Sequence, residues 1–541
     1  MKKTLPVVSK EQDLEDDTIS RRVLPLLASP SNSPPQEQQQ QDNNIASAVS
    51  NWLRLNVDDN AYRNRHSIGL DVPGAVHTIT TPKLKTEKQL DSKLVVIMVG
   101  LPARGKSYLV KKLRRYLNWL QYETRVFNVG NMRRVCDTSD QSARFFDPNN
   151  QDNKRMRDEI AMSVLEQLIG WLKEGGRVAI HDATNSTLAR RKLLIDRLEK
   201  EPEIRVLLIE SICTDQSMLE RNFRLKLSGP DYKNKDPVEA LADFRSRVAN
   251  YEKAYEPVGE WEEEHDIQFC KLINVGKKVI AHHISGYLSG QCIFYLMNFN
   301  LNERQIFLTR HGESEDNVTG KIGGDAPLSA KGRKFAKALA KFVQTQRIRF
   351  ACELAAKAND LEADEDKYDS AKALAKTAEF CNSQFMVWTS MLKRSMQTAE
   401  TLDPDDYDIK HIRFLNEINS GICEGMTYEE IQQKYPEEYR ARQANKLFYR
   451  YPGMGGESYI DVIHRLQPMI IELERMTQSC LIITHRVVMR ILLGYLLDWT
   501  REEMPHMMVP IHTVYELRPK PYGTELKKWQ YVEETDSFVE F

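Results

Sequence analysis

The segment VIMVGLPARGKSY, residues 96–108, constrains the fold of this chain more than any other stretch. Its apolar run ends at Gly100, and Gly105, Lys106 and Ser107 follow at the spacing G-x-x-x-x-G-K-[ST]. This pattern marks a phosphate-binding loop when a strand precedes it and a helix follows; elsewhere it is a chance match in a turn. Here LVVIMV predicts a buried parallel strand, and the leucines of SYLVKKLRRYLNWL recur at helical spacing. The context therefore favours nucleotide binding.

The remaining apolar runs predict two α/β domains, the first with a mainly parallel sheet. RVFNV, RVAIHDA and VLLIESI alternate with helical stretches, and a second series begins at QIFLTRHG and continues through FMVWTS, HIRFL, CLIITH and VYEL. The stretch CELAAKANDLEADEDKYDSAKALAKTAEF is alanine-rich and acidic, which indicates an exposed helical insertion. The predicted divisions are a tail over 1–90, domains over 91–302 and 303–525 with the insertion at about 350–380, and a C-terminal tail over 526–541.

The first 90 residues differ from the rest in composition. SPSNSPPQEQQQQDNN is polar and cannot bury enough apolar surface to offset the entropy of ordering, which predicts disorder. Ser29 and Ser33 each precede a proline, and Ser67 follows two arginines in RNRHS, so we consider regulation by protein kinases. The plain alternative is an unmodified disordered tail.

Composition narrows the class of protein. The net charge is −1, which argues against a nucleic-acid-binding surface. The eight cysteines form no C-x-x-C pair, which is typical of reduced thiols in a cytoplasmic protein. No run approaches the roughly 18 apolar residues of a membrane helix, so we expect a soluble protein without a membrane partner.

Charged residues that follow the predicted strands suggest what the first domain does with its nucleotide. Lys106 can reach the β- and γ-phosphates, and Ser107 can ligate Mg²⁺. Asp182, in HDATNST, could hold Mg²⁺ or accept the proton of an attacking hydroxyl, although an aspartate here could equally be a helix cap. Further cations could enclose an anionic acceptor or be ordinary surface charges: Arg133, Arg157, Arg190 and Lys226.

The motif LTRHGES in the second domain indicates a histidine that accepts a phosphoryl group. Arg310 and His311 directly follow an apolar strand, and a neutral imidazole is nucleophilic near pH 7. His485 follows another strand in LIITHR, and Arg394 lies in SMLKRSMQTAE. The arginines and His485 would stabilise negative charge, and Glu417, in FLNEINSG, would donate a proton.

A series of motifs in fixed order gives the chain a family resemblance. They include GLPARGKSY, RVFNVGNMRR, HDATNST, ESIC, SGPDY, YLMN, TRHGES, GGDAPLSAKG, WTSMLKRSMQTAE and LNEINSGICEGMTYEEIQ. Over roughly residues 93–525 the chain resembles 6-phosphofructo-2-kinase/fructose-2,6-bisphosphatase, whose C-terminal half is a histidine phosphatase of the phosphoglycerate-mutase-like type. The second half alone would indicate only that broad superfamily.

The resemblance implies two opposed activities that control glycolysis against gluconeogenesis. A kinase would use ATP with Mg²⁺ to phosphorylate fructose 6-phosphate at its 2-position, and a phosphatase would remove that phosphate from fructose 2,6-bisphosphate through a phosphohistidine. A homodimer is a further expectation. The implied catalytic residues are Lys106, Asp182, Cys213, Arg310, His311, Arg394, Glu417 and His485, with Ser107 and Asp182 at the metal. The implied ATP contacts are Gly100, Leu101, Pro102, Ala103, Arg104, Gly105, Lys106, Ser107, Tyr108, Asn222 and Lys226. The implied sugar-phosphate contacts are Arg133, Arg157, Thr184, Arg190, Lys226, Arg247 and Tyr251 in the kinase, and Asn317, Gly323, Tyr428, Arg442, Lys446, Tyr459 and Arg490 in the phosphatase.

Two departures from the family pattern leave alternatives open. Phe223 stands in the ATP-contacting stretch where relatives often carry arginine, and Arg486 stands beside His485 where relatives often carry glutamine. The alternative to a bifunctional enzyme is therefore a phosphatase with a weak or regulatory kinase half. A non-catalytic sensor of ATP or sugar phosphates is a third reading. A polynucleotide kinase-phosphatase is disfavoured by the neutral net charge.

Overall fold

The structure is a computed structural model. It describes residues 93–136, 143–227, 229, 231–232, 235–298, 300–362, 385–520 and 523–541. All of these belong to one compact unit, His77–Phe541. The serines considered above as kinase targets lie outside the described residues. None of the helices in these ranges has the length and apolar character that crossing a bilayer requires.

The first half of the described chain, residues 93–298, is built on a six-stranded sheet. Its strand order is β2-β3-β1-β4-β5-β6, and all neighbours are parallel except β5 and β6. The central strand β1 is buried along almost its whole length, as its continuous apolar sequence predicts. The strands are β1 (Lys93–Val99), β2 (Thr124–Asn128), β3 (Val178–Asp182), β4 (Ile204–Ile212), β5 (Phe269–Ile273) and β6 (Lys278–His282).

Helices cover this sheet. The first one begins at Lys106, and its leucines 109, 113, 117 and 120 are all buried, so the predicted helical face is confirmed. The helices are α1 (Lys106–Trp119), α2 (Val129–Cys136), α3 (Gln151–Lys173), α4 (Leu188–Leu198), α5 (Gln216–Leu227), α6 (Pro237–Lys253), α7 (Glu260–Glu264) and α8 (Tyr287–Met297), with a 3₁₀ turn at Ala143–Phe146.

The second half, residues 300–541, contains a seven-stranded mixed sheet. Its order is β13-β12-β11-β7-β10-β8-β9; the four strands from β7 to β9 are parallel, and β11, β12 and β13 are antiparallel. The strands are β7 (Ile306–Arg310), β8 (Phe385–Thr389), β9 (Tyr407–His411), β10 (Cys480–Thr484), β11 (Thr513–Lys520), β12 (Gly523–Val532) and β13 (Ser537–Glu540).

The helices of this half place the loops that follow the parallel strands. In order they are α9 (Glu315–Val318), α10 (Ala330–Glu362), α11 (Lys393–Ala399), α12 (Tyr428–Lys434), α13 (Pro436–Ala444), α14 (Tyr459–Arg475) and α15 (Arg486–Leu497). Shorter 3₁₀ turns occur at Arg413–Leu415, Gly421–Cys423 and Met504–His506.

Three sequence expectations differ from the structure. The segment predicted as a C-terminal tail, 526–541, forms most of β12 and all of β13, because its apolar residues alternate and Tyr531 and Phe538 pack on the core. HIRFL, residues 411–415, shares only its first residue with β9, and its last three residues form the 3₁₀ turn Arg413–Leu415. The predicted insertion begins inside α10, where Phe350, Ala351 and Ala355 are buried rather than exposed, and its remainder over 363–384 lies outside the described residues.

A buried polar cluster joins the two halves. Lys112 and Arg115 of α1 contact the Glu474 carboxylate of α14 at 2.9 and 3.1 Å, and the Tyr495 hydroxyl of α15 donates to it at 2.5 Å. Burial alone would raise the pKa of Glu474, but Lys112 and Arg115 outweigh it and lower the pKa to about 2. The cluster therefore links the helix that begins in the phosphate-binding loop to helices of the second half.

Candidate active sites

The loop after β1 has the backbone that a phosphate cradle requires. Gly100, Ala103 and Gly105 have φ values of 131°, 59° and 88°. A Cβ at Gly100 would lie 2.6 Å from the Ser211 carbonyl oxygen, so only glycine fits there. The loop ends at the first turn of α1, whose amide groups suit an anion bound at this position.

Side chains from neighbouring strands and helices hold this loop in place. The Ser211 hydroxyl of β4 donates to the Arg104 carbonyl at 2.5 Å, and the Asn222 amide of α5 donates to the Ala103 carbonyl at 3.0 Å. These are contacts to backbone carbonyls, so they orient the loop without occupying its amide groups. Asn222 is predicted from the resemblance as an ATP contact, and in this structure its amide supports the loop.

Lys106 lies inside the loop and is buried. Its ammonium group donates to the carbonyls of Gly100 and Leu101 at 2.7 and 2.6 Å. Burial lowers its pKa to about 7, and the nearby Asp182 carboxylate opposes this only in part. A polyphosphate would supply negative charge that favours the ammonium form.

Asp182 ends β3 beside the loop. The Asn128 amide of β2 donates to its carboxylate at 2.6 Å. Burial raises its pKa, while Lys106 and the Asn128 hydrogen bond act in the opposite direction. Asp182 and Ser107 line the same cavity, so a carboxylate and a hydroxyl are available there for a hard cation. Cys213 also lines it, with its thiol 3.9 Å from the Asp215 carbonyl.

One cavity of about 500 Å³ contains the loop and the predicted acceptor cations. Segments of the second half, 300–304 and 519–520, line part of it. The structure thus brings together residues that lie far apart in the sequence. The predicted residues on its wall are Pro102, Ala103, Arg104, Gly105, Lys106, Ser107, Tyr108, Arg133, Arg157, Asp182, Thr184, Arg190, Cys213, Asn222, Lys226, Arg247 and Tyr251. Gly100 and Leu101 are the two predicted loop residues outside this lining.

An acidic residue that the sequence analysis did not single out organises the cations. The Asp231 carboxylate accepts from Arg133 at 3.0 Å, Arg134 at 3.1 Å and Arg247 at 3.0 Å. Burial would raise the pKa of Asp231, but the arginines outweigh it and lower the pKa to about 2. The Arg247 guanidinium lies 3.9 Å from the centre of the Phe146 ring, which fixes its plane.

The other cations on this wall have separate partners. Arg190 pairs with Asp158, and Arg157 donates to the Phe145 carbonyl at 2.7 Å. Burial lowers the pKa of Lys226. The Thr184 carbonyl accepts a hydrogen bond from the Gly100 amide at 2.9 Å, which connects the HDATNST segment to the phosphate loop.

In the second half, the two predicted histidines meet at the ends of adjacent parallel strands. His311 follows β7 and His485 follows β10, and their ring centres are 5.0 Å apart. Both side chains are buried, and Nε2 of His485 lies 2.7 Å from the Ser390 hydroxyl and 3.3 Å from that of Ser395. The pair therefore forms one pocket.

Hydrogen bonds define the tautomer of His311. Nδ1 lies 2.6 Å from the Gly312 carbonyl oxygen, which can only accept, so Nδ1 carries the proton. Nε2 accepts from Nε of Arg394 at 3.1 Å. Burial, followed by Arg394 and Arg310, holds the pKa of His311 well below its usual value. The ring is therefore neutral, with a lone pair on Nε2 directed toward the arginine-lined pocket.

The arginines of this pocket have neutral partners in the described hydrogen bonds. Arg310 donates to the Val509 carbonyl at 3.3 Å, and Arg394 donates to the Gly324 carbonyl at 2.7 Å. Nε of Arg310 is buried without a hydrogen-bond partner among the described residues. Burial lowers the pKa of Arg310 to about 10, and Arg486 is among the cations that act in the same direction. Arg486 therefore contributes positive potential to the pocket.

Glu417 is held at the start of α15. Its carboxylate accepts from the Ile418 amide at 3.0 Å and from the Val487 amide at 3.2 Å. Its negative charge also acts on Arg310 and Arg394, which places it near the pocket. It can therefore exchange a proton with a group bound between the arginines.

The predicted sugar-bisphosphate residues surround the pocket. Arg490 donates to the Tyr459 hydroxyl at 2.9 Å, and Arg442 donates to that of Tyr428 at 3.0 Å. Burial and the nearby Arg442 lower the pKa of Lys446, which puts these cations in one region.

Two of these predicted residues have backbone roles. Asn317 is the third residue of the capping box at α9. At Gly323, φ is 70° and a Cβ would overlap the Glu424 carboxylate, so the position requires glycine.

Several residues of this pocket were missed from the sequence. The Thr398 hydroxyl accepts from the Gly312 amide at 3.0 Å, and Nε2 of His512 accepts from the Glu313 amide at 3.0 Å. Thr398, Ser390 and Ser395 lie in the quoted motif WTSMLKRSMQTAE, so their motif was recognised but their individual partners were not. His512 gives no local signal, because its partner lies 199 residues away.

Phe223 does not line the nucleotide cavity. Its ring packs edge-on against Phe244 at 5.5 Å, in a small cluster that also contains Ala103 and Tyr232. The side chain therefore supports α5 and α6 from within.

The fold and the two pockets define a two-domain enzyme of phosphoryl transfer, a P-loop kinase followed by a histidine phosphatase. The 6-phosphofructo-2-kinase family model matches residues 82–303, and that of the histidine phosphatase superfamily, branch 1, matches residues 306–356 and 354–532.

Three relatives extend the comparison over most of the chain. A probable 6-phosphofructo-2-kinase of Schizosaccharomyces pombe is 48% identical over 83% of this chain and 71% of its own length. The 6-phosphofructo-2-kinase 1 of Saccharomyces cerevisiae is 48% identical over 88% of this chain and 57% of its own length. The 6-phosphofructo-2-kinase/fructose-2,6-bisphosphatase 3 of Rattus norvegicus is 41% identical over 83% of this chain and 74% of its own length. The chain belongs to the 6-phosphofructo-2-kinase/fructose-2,6-bisphosphatase family and contains both of its enzyme domains, so the resemblance inferred from the motifs is confirmed.

Proposed function

We propose that this chain makes fructose 2,6-bisphosphate from fructose 6-phosphate and ATP at its first site and hydrolyses it at its second. The observation that carries the proposal is the presence of two complete anion pockets in one chain. One joins a phosphate loop to a cluster of cations in a single cavity, and the other holds a neutral histidine between two arginines.

In the phosphatase pocket, Nε2 of His311 attacks the phosphorus of the 2-phosphate. The hydrogen bond from Nδ1 to the Gly312 carbonyl keeps the attacking lone pair on Nε2. Arg310, Arg394 and His485 stabilise the charge on the transferring phosphoryl oxygens. Glu417 gives its proton to the departing sugar oxygen, and water then attacks the phosphohistidine with Glu417 as base.

In the kinase cavity, Lys106 and the loop amides bind the phosphates of ATP. Asp231 orients Arg133 and Arg247 toward the phosphate of the sugar. Asp182 accepts the proton of the attacking 2-hydroxyl. Asp182 and Ser107 are the residues that would hold Mg²⁺, which when bound neutralises charge on the nucleotide phosphates. The proposed location is cytoplasmic.

A weak or regulatory kinase half was the alternative suggested by Phe223. Phe223 packs against Phe244 outside the cavity lining, so its ring leaves the cavity unobstructed. We therefore propose that both activities are present.

The experiment measures both reactions on one preparation. The purified chain should form fructose 2,6-bisphosphate from fructose 6-phosphate with ATP and Mg²⁺, and labelled fructose 2,6-bisphosphate should transfer its 2-phosphate to the protein as an acid-labile adduct. His311→Ala should abolish the adduct and the phosphatase rate while it leaves synthesis intact. A purified chain that makes no bisphosphate, or a labelled adduct that persists in His311→Ala, contradicts the proposal.

A further inference from the structure

Three side chains that neither proposed activity uses meet at the edge of the first sheet opposite the phosphate loop. Asp266 lies just before β5, which runs parallel to β4 and β1. The phosphate loop follows the carboxyl end of β1, so the amino end of β5 lies at the opposite edge. His282 ends the antiparallel strand β6 opposite Phe269, and His283 follows it.

The geometry of this group fits a single ion. One ligand atom from each of Asp266, His282 and His283 lies within 4.8 Å of the other two, and this is the one such group found among the described residues. Nδ1 of His283 is 3.1 Å from Oδ1 of Asp266. Consecutive residues of a strand face opposite sides, but His283 has φ of 49°, so the chain leaves the extended conformation there. Both imidazoles can therefore approach the same carboxylate.

His282 distinguishes the cluster from an ordinary ion pair. A hydrogen bond between His283 and Asp266 needs no second imidazole. The His282 ring stacks on Phe269 at 5.1 Å and 16°, which fixes its plane. Its Nε2 is buried and has no hydrogen-bond partner among the described residues. A rigid imidazole with an unused nitrogen is a ready ligand.

We propose that Asp266, His282 and His283 bind a divalent transition-metal ion of the zinc class. Imidazole nitrogens with one carboxylate suit Zn²⁺ and Co²⁺, whereas Mg²⁺ and Ca²⁺ prefer oxygen ligands. Zn–N bonds of about 2.0–2.1 Å in a tetrahedral site separate ligand atoms by about 3.3 Å, so small side-chain movements close the group. The ion takes the place of the proton shared by His283 and Asp266, and water completes its coordination.

The site is open to solvent and ties two segments together. The side chains of Asp266 and His283 are 78% and 49% exposed, so an ion can enter without opening the fold. Bound there, it cross-links the loop before β5 to the end of β6. Because it binds only the folded chain, it raises the melting temperature with metal concentration. The cluster lies away from both phosphate pockets, so both activities stay unchanged.

The test uses the full chain after removal of metals with a chelator. Equilibrium dialysis with Zn²⁺, the visible spectrum with Co²⁺ and thermal unfolding with and without Zn²⁺ are measured. We expect one ion that depends on the cluster and a Zn²⁺-dependent rise in melting temperature. Both are lost in His283→Ala and in His282→Gln.

His265→Ala is the matched control. His265 is next to Asp266, but its ring stacks on Trp261 and its Nδ1 contacts the Trp261 carbonyl at 2.8 Å. The His265→Ala variant should bind Zn²⁺ and show the same Zn²⁺-dependent rise in melting temperature as the unaltered chain. Asp266→Asn keeps the shape of the side chain and should weaken Zn²⁺ binding, because a neutral amide is a poorer zinc ligand than a carboxylate. The proposal is overturned when the histidine variants bind Zn²⁺ as the unaltered chain does, or when His265→Ala loses as much binding as they do.

Discussion

The two phosphate pockets of this chain differ in whether carboxylates pair directly with their arginines. In the kinase cavity, Asp231 pairs with Arg133, Arg134 and Arg247, and Asp158 pairs with Arg190. In the phosphatase pocket, the described hydrogen bonds of Arg310 and Arg394 go to carbonyls and to His311. The kinase cavity therefore balances part of its positive charge with carboxylates that pair directly with arginines, which suits exchangeable sugar phosphates. In the phosphatase pocket neither arginine pairs directly with a carboxylate among the described residues, although the charge of Glu417 acts on both, and this suits a phosphoryl group in transfer.

The largest expected effect is at the phosphate loop. Lys106→Ala removes the cation that we propose binds the nucleotide phosphates, and the kinase kcat should fall by about 10³-fold. The phosphatase rate should not change, because its pocket uses other cations. Steady-state assays of both reactions check this, with Lys111→Ala on the exposed side of α1 as control. An equal loss in both reactions would show that the pockets are not separate.

The second-largest effect is expected at Arg394 in the phosphatase pocket. Arg394→Ala removes the donor to Nε2 of His311, and the phosphatase kcat should fall by about 10²-fold. Arg394→Lys restores the charge without the planar guanidinium and should recover only part of the rate. Single-turnover formation of the labelled phosphohistidine measures both variants. Full recovery with lysine would mean that charge alone is required.

Asp231→Asn tests the kinase cavity, where one carboxylate is shared by three arginines. Removal of this carboxylate leaves three arginines without their shared counter-charge, so inorganic phosphate should compete with fructose 6-phosphate about tenfold more strongly. The measured quantity is the inhibition constant of phosphate in the kinase assay. Asp243→Asn, at an aspartate that accepts from the Tyr232 hydroxyl, is the control. Weaker inhibition by phosphate in Asp231→Asn would mean that orientation of the arginines outweighs their charge.

The pH dependence of nucleotide binding should reflect the buried lysine. The free-enzyme pKa of Lys106 is about 7, so between pH 7 and pH 8 its ammonium form is depleted and the Kd of ATP should rise about fivefold. His311 is already neutral in this range, so phosphohistidine formation should not follow the same curve. ATP titrations at each pH measure the effect. Lys106→Arg, which stays charged, should flatten the curve; an unchanged slope there would assign the effect to another group.

The smallest effect is expected at Phe223. Because its ring packs on Phe244 outside the cavity lining, Phe223→Leu should change the kinase kcat by less than about threefold. The kinase assay and thermal unfolding are measured together. A large loss of kcat without loss of stability would restore the interpretation that this position governs turnover.

Local patterns in the sequence predicted much of this architecture. Continuous apolar runs identified β1, β3, β4, β7 and β10, because buried parallel strands need no polar residues. The exposed strand β6 carries no such signal, and the alternation in β12 and β13 is weak without the pairing of β12 with β11 and of β13 with β12. Motif spacing likewise located Lys106 and His311, whose neighbours in sequence define them.

Partners that are distant in sequence could not be predicted in the same way. Asp231 lies in the quoted motif SGPDY, but its pairing with Arg133, 98 residues away, depends on the packing of α2 against the loop that carries it. The link between His512 and the Glu313 amide has the same origin. Hydrogen bonds of this kind need the assembled sheet, since no short pattern encodes them.

The shared carboxylate of Glu474 has a consequence for any attempt to study one activity alone. Cleavage of the chain near residue 300 would leave Glu474 on one fragment and its two basic partners, Lys112 and Arg115, on the other. Each fragment would then expose a charged side chain that is buried in the intact chain. Silencing one reaction by a point substitution, with the polypeptide left whole, is the cleaner route to isolating the other.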